Sequence, residues 1–172
     1  MSRLKLIVVT SLLLSMASFS VLAAGNLSVT KSITINSPAE LVWAKIKDFN
    51  GLNTWHPAVA TDELIEGENN QPGAVRLLTL GDGGTIKEKL GAWDDAGMSY
   101  SYAILEGVLP VSNYESTLSV RALSDTSSDV TWTGSFNAGG GKDDKTAFDT
   151  ISGVYEAGLE NLAKMMNGGA SE

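Results

Sequence analysis

The sequence predicts an α+β domain: a curved, seven-stranded antiparallel sheet wrapped around one long C-terminal helix, with two short helices after the first strand. Three observations lead there. A helix start signal with an apolar face follows the first strand-like run. Six further strand-like runs, parted by turn signals, fill the middle of the chain. One long amphipathic segment closes it. A sheet that curls around a helix in this order is expected to leave a cavity between the two layers.

Residues 1–24 read as a secretory signal peptide. Arg3 and Lys5 form a charged start, Leu6 to Phe19 is apolar with small polar interruptions, and Val21-Leu22-Ala23-Ala24 ends in small residues suited to cleavage after Ala23 or Ala24. The run is short for a bilayer span, which needs roughly 20 apolar residues. The mature protein is therefore expected to be periplasmic or secreted, with no membrane anchor. Residues 25–167 are expected to form the domain. Residues 168–172, Gly-Gly-Ala-Ser-Glu, read as a flexible tail.

Leu27 to Ile35 alternates as a strand, with Leu27, Val29, Ile33 and Ile35 on one side apart from Lys31. Ser37-Pro38-Ala39-Glu40 is a helix start in which Ser37 can cap and Glu40 can complete a capping box. Val42, Trp43, Ile46 and Phe49 give that helix its apolar face, Asn50-Gly51 breaks it, and Leu52 to Trp55 fits a second short helical turn. The later strands are expected at 60–66, 74–80, 85–93, 98–106, 112–122 and 129–137. The last helix should run from about Asp144 to Met166, with Phe148, Ile151, Tyr155, Leu159, Leu162 and Met166 on one face. At ~1.5 Å per residue it can cross a whole sheet. Gly153 and Gly158 cost it about 1 kcal/mol each against alanine. They suit a helix that approaches the sheet closely or leaves room for a guest.

Charge and composition exclude several functions. With Arg3 and Lys5 in the leader, ten basic residues face twenty acidic ones beyond it, a net charge of −10. Such a surface repels nucleic acid and anionic membranes, and suits a basic protein partner or plain solubility. There is no cysteine, so the core alone must hold the domain, and one histidine without cysteine argues against a zinc site. Neither a phosphate-binding Gly-rich loop nor a Gly-x-Ser-x-Gly elbow is present. No metal or other cofactor is expected.

Period-two alternation picks out the cavity candidates. Glu88 shares a strand face with Ile86 and Leu90, an unusual place for a carboxylate. It is either a polar anchor or general acid/base in a pocket, or a structural carboxylate paired with Arg76 or His56. Tyr100 and Tyr102 align with Met98 and Ile104. Tyr114 aligns with Ser116, Leu118 and Val120, and Trp132 and Phe136 align with Val130 and Gly134. Each aromatic alone suits ordinary core, but together they make a mainly apolar face with a few polar points, as ligand pockets have. In Trp55-His56-Pro57 the proline turns His56 out of the short helix. His56 either caps the pocket mouth or works as an acid/base with Glu88. The candidate ligand-binding set is Trp55, His56, Arg76, Glu88, Tyr100, Tyr102, Tyr114, Trp132, Phe136 and Tyr155. The candidate catalytic pair is His56 and Glu88.

The ordered set Val42-Trp43, Asp48-Phe49, Trp55-His56-Pro57, Gly73-Ala74-Val75-Arg76, Ile86-Lys87-Glu88-Lys89-Leu90, Ser99-Tyr100-Ser101-Tyr102, Leu109-Pro110-Val111, Asn113-Tyr114, Trp132 and Tyr155-Glu156-Ala157-Gly158-Leu159 resembles the SRPBCC superfamily in its polyketide cyclase/dehydrase branch. The resemblance covers essentially the whole mature chain. It implies the helix-grip fold, also found in START and Bet v 1-like proteins, with a cavity between sheet and last helix. The leader, Met98 to Tyr102 and Leu109 to Leu118 are also similar to the MxaD-type accessory proteins of bacterial methanol oxidation, although Asn137 to Asp144 is short and Gly-rich where those carry a longer Pro-containing stretch. Three functions follow as expectations. The first is binding of a small lipophilic or aromatic ligand without firm evidence of catalysis. The second is an accessory role to an exported oxidoreductase. The third is cyclase or dehydratase chemistry through His56 and Glu88.

Overall fold

The computed structural model describes residues 25–168. The expected leader, and the tail beyond Gly168, lie outside these residues. The elements run β1 (Leu27–Ile35), α1 (Ala39–Ile46), a 3₁₀ segment (Phe49–Thr54), β2 (Val59–Glu66), β3 (Val75–Leu80), β4 (Thr85–Asp94), β5 (Ser99–Gly107), β6 (Val111–Ser124), β7 (Ser127–Ala138) and α2 (Asp144–Gly168). All seven strands form one antiparallel sheet in the order β1-β7-β6-β5-β4-β3-β2. The helix-grip architecture is therefore the one observed. No described helix is long and apolar enough to cross a membrane.

The strands form where apolar and polar residues alternate. In β7 every second side chain from Ser128 to Phe136 is buried, which places Val130, Trp132 and Phe136 on the inner face. β-Bulges bend the sheet at Gly91 in β4 and near Asn113 in β6. Asn113 adopts φ +49°, which the short polar side chain of asparagine tolerates, and Tyr114 after it is buried. Met98, expected inside β5, instead occupies the preceding turn at φ +49°.

Two local expectations are corrected. Ser37 does not cap α1: Pro38 takes the N-cap position, no side-chain cap bond forms, and the Pro38 carbonyl accepts from Leu41 and Val42. Ser37 is spent in a turn, its N–H bonded to the Ile35 carbonyl, so Glu40 has no box to complete. In α2 the buried stripe is Ala147, Ile151, Tyr155, Leu159 and Leu162, and Phe148 is exposed. Residue 148 lies about 100° around the helix from 147, beyond the edge of the stripe. The helix also runs on to Gly168, one residue into the expected tail.

α2 packs on β1 and β7. One end of the core is filled by Trp43, Trp93, Phe49 and Tyr100, whose rings meet at centroid distances of 6.2–6.4 Å. The other end, under α2, is not filled, and there the candidate site lies.

Candidate functional site

A hollow of about 70 Å³ lies between the sheet and α2. Leu78 and Leu80 of β3, Ile86 of β4, Ile104 of β5 and Leu109 beyond it supply one wall, with Leu52, Ala58, Val59 and Val154 closing the other side. Five of the ten expected ligand residues face it: His56, Glu88, Tyr102, Tyr114 and Trp132. The other five stand behind the lining. Phe136 stacks on Tyr114, Tyr100 belongs to the filled end of the core, and Trp55 packs against Trp132. Tyr155 stacks on Trp132 with centroids 4.5 Å apart and planes 8° from parallel, and Arg76 lies below Glu88. A larger hollow of about 300 Å³ sits on the opposite sheet face, lined by Ser101, Glu115, Thr117, Thr133 and Ser135. It is a trough mostly over short side chains, and Arg76, Glu88, Asp62 and His56 are not among its lining residues.

Beneath the inner hollow is a buried charge cluster. Arg76 and Glu88 sit directly opposite each other on β3 and β4. Arg76 Nε donates to Glu88 Oε2 at 2.8 Å, and Nη2 lies 2.6 Å from the same oxygen. Nη1 donates to the Phe49 carbonyl and lies 3.4 Å from Asp62 Oδ2. The guanidinium also stacks 4.2 Å from the centre of the Phe49 ring. Burial opposes its charge, but Glu88, the nearby tyrosines and Asp62 overcome that and raise its pKa. Burial pushes the Glu88 carboxyl up, against the pull of Arg76, and does the same to Asp62. Two carboxylates thus share one cation in a site from which water is excluded. Arg76 engages a single Glu88 oxygen; among the described residues no donor is aimed at the other.

Asp62 was not singled out by the sequence. It follows a register shift between Val59 and Thr61 that breaks the alternation of β2, so its inward direction cannot be counted from the strand pattern. Its Oδ2 also accepts from the Leu52 N–H at 2.9 Å, which ties the 3₁₀ segment to the sheet.

Above the charge cluster runs a chain of hydroxyls. Ser116 Oγ donates to the Thr133 carbonyl at 2.9 Å and lies 2.9 Å from the Tyr155 hydroxyl. The Tyr155 hydroxyl is 2.6 Å from that of Tyr114, which is 3.5 Å from that of Tyr102. Trp132 Nε1 donates to both Tyr102 and Ser116 at 3.0 Å. Burial raises the tyrosine pKa values, to about 12 for Tyr155 and well above the ordinary value of 10.0 for Tyr102 and Tyr114. All three are neutral phenols. Gly134 makes room for the chain: a Cβ there would stand 2.2 Å from the Tyr155 oxygen.

His56 is buried and fully engaged. Its Nε2 lies 3.0 Å from the Val154 carbonyl, which can only accept, so Nε2 carries the proton. Nδ1 accepts from the Ala58 N–H at 3.2 Å. Burial holds the ring below its ordinary pKa and so keeps it neutral. No nitrogen is left over for proton transfer to a guest. No cluster of metal-ligating side chains occurs among the described residues.

Residues 26–167 match the family described as polyketide cyclase/dehydrase and lipid transport. MLP-like protein 423 of Arabidopsis thaliana is 30% identical over 114 residues, 60% of this chain and 72% of that protein. The class 10 plant pathogenesis-related protein 2F of Lupinus luteus is 36% identical over 85 residues, 45% of this chain and about half (52%) of that one. Among solved structures, the protein XoxI of Bacillus cereus superposes with a TM-score of 0.75 at 34% identity, covering 81% of this chain and 94% of that chain. The Zhui aromatase/cyclase of Streptomyces sp. R1128 superposes with a TM-score of 0.68 at 20% identity over 81% of this chain and 93% of its own, a likeness of fold alone. With its seven-stranded sheet, its long closing helix and a match spanning the described domain, the chain belongs to the polyketide cyclase/dehydrase and lipid-transport family.

Proposed function

We propose that the mature chain is an exported binding module that takes a small, largely apolar ligand into the hollow between the sheet and α2. The observation that carries this is the convergence of Glu88, Tyr102, Tyr114 and Trp132 on one hollow whose remaining lining, His56 apart, is aliphatic. Export rests on the leader pattern of residues 1–24. Binding is favoured over cyclase or dehydratase chemistry because both nitrogens of His56 are occupied and Glu88 is tied to Arg76. A basic protein partner, the accessory-factor form of the same reading, is supported by the net charge of −10 beyond the leader.

The test is uptake by the purified mature protein. Small lipophiles should quench or shift the fluorescence of Trp132, which lines the hollow. Ile104→Trp should fill the space and abolish the response while the protein stays folded. A panel of lipophiles that leaves wild type and Ile104→Trp indistinguishable refutes the reading.

A further inference from the structure

The hydroxyl chain has a direction, and it ends at the hollow. A carbonyl can only accept, so the single hydrogen of Ser116 goes to Thr133. Ser116 Oγ is then an acceptor for Trp132 and Tyr155. With the Tyr155 hydrogen spent on Ser116, the 2.6 Å contact between Tyr155 and Tyr114 takes its hydrogen from Tyr114. Only the Tyr102 hydrogen remains. Among the described residues its sole acceptor, the Tyr114 oxygen, is 3.5 Å away, at the limit of a hydrogen bond. Tyr102 already accepts from Trp132, which polarises its O–H further. Both phenols line the hollow.

From this we infer that the hollow selects a small, neutral carbonyl compound whose oxygen accepts from Tyr102. The inference rests on the binding reading above and adds the ligand class. Charge supports it. Among the described lining residues there is no lysine or arginine, and the nearest guanidinium, that of Arg76, already sits in ion-pair contact with Glu88 and Asp62 and donates to the Phe49 carbonyl. An anionic ligand would find no counter-ion and would meet Glu88. Size supports it as well. The hollow is about 70 Å³, where a cavity of about 150 Å³ holds benzene. The guest is therefore a compound of a few heavy atoms, with an aliphatic body against Leu78, Ile86 and Ile104 and its oxygen at Tyr102.

The experiment compares butanone, butyrate and 2-methyl-1-butene, in which a methylene replaces the butanone oxygen, on wild type and Tyr102→Phe. Trp132 keeps Ser116 as an acceptor in the variant, so no indole N–H is orphaned. Binding is read by ligand NMR titration, and the carbonyl by its infrared stretch. Butanone should bind wild type about fivefold tighter than Tyr102→Phe, the ratio that one net hydrogen bond of about 1 kcal/mol gives. Its stretch should shift to lower frequency on wild type alone. The alkene should bind both proteins equally, and butyrate should bind more weakly than butanone. Equal butanone affinity with an unshifted stretch in both proteins overturns the carbonyl inference while leaving the binding module standing. Failure of both butanone and the alkene to bind wild type overturns the binding reading and this inference together.

Discussion

Gly158 of α2 presses against His56: a Cβ at that glycine would stand 2.6 Å from the imidazole Cδ2 and 2.9 Å from Trp132 Cζ3. The helix can come this close to the sheet only because the side chain is missing. Both neighbours are rigid rings, and His56 is pinned at each nitrogen. Gly158→Ala should therefore destabilise the domain by about 1–3 kcal/mol despite the better helix propensity of alanine. Gly153 is the control, because nothing lies within 4 Å of its would-be Cβ. Gly153→Ala should stabilise by about 0.5–1 kcal/mol. Urea unfolding of the two variants measures both signs. A Gly158→Ala protein as stable as wild type would mean that α2 can slide away from the sheet.

Arg76 is the only cation placed to balance Glu88 and Asp62 in the described core, and its own side chain is wholly buried. Arg76→Met should cost roughly 3–5 kcal/mol, since it strands two carboxylates away from water. The loss should depend on pH. Burial already raises both carboxyl pKa values, and Arg76 is the group that pulls them down. Without it the folded state holds protons more tightly than the unfolded chain does, so the variant gains stability as pH falls. Denaturant midpoints across an acid-to-neutral series test this. A deficit that does not shrink in acid would show that Arg76 works by packing on Phe49 and not by charge.

Much of this arrangement was legible in the chain. Runs of alternation and a final 3.6-residue stripe suffice for most of the sheet and α2, because those elements bury one face; β3, where the adjacent Val75 and Arg76 are both buried, is the exception. Glu88 stood out as a carboxylate between Ile86 and Leu90, and Arg76 was among its expected partners. What the pattern could not give was depth. Alternation places Tyr100, Tyr102, Tyr114 and Phe136 on one face alike, but only the curvature introduced at Gly91 and Asn113 decides which of them borders empty space. Asp62 was lost to a bulge in β2, and the aliphatic lining residues carried no signal that separates a cavity wall from ordinary core. Phe148 was misplaced by a single helical step, which matters at the edge of a stripe.

Tyr155→Phe tests the hydroxyl chain from its middle. Removing that oxygen deprives Tyr114 of the acceptor at 2.6 Å and Ser116 of a donor at 2.9 Å. The ring stack on Trp132 is retained. The variant should lose about 1–3 kcal/mol, the cost of leaving a buried polar group unpaired. Urea denaturation gives the number. An unchanged midpoint would mean that Tyr114 finds another acceptor, and the directional reading of the chain would fall with it.

His56 should make stability fall on mild acidification. Burial lowers its pKa from the ordinary 6.5, while the Val154 contact opposes this and Arg76 adds to it. Between the folded-state pKa and 6.5 the unfolded chain therefore binds the proton that the folded chain refuses. The stability from the neutral ring is fully present above that ordinary value and is lost as pH drops through the window below it, at up to about 1.4 kcal/mol per pH unit. Asp62 and Glu88 act with the opposite sign, since their pKa values are raised, so wild type alone gives a mixed curve. Subtracting the curve of His56→Gln, whose amide can still donate to Val154, isolates the histidine. The difference should be flat near neutrality and should turn against wild type in the acid range. Parallel curves for the two proteins would mean that the imidazole accepts a proton without leaving its place beneath Gly158.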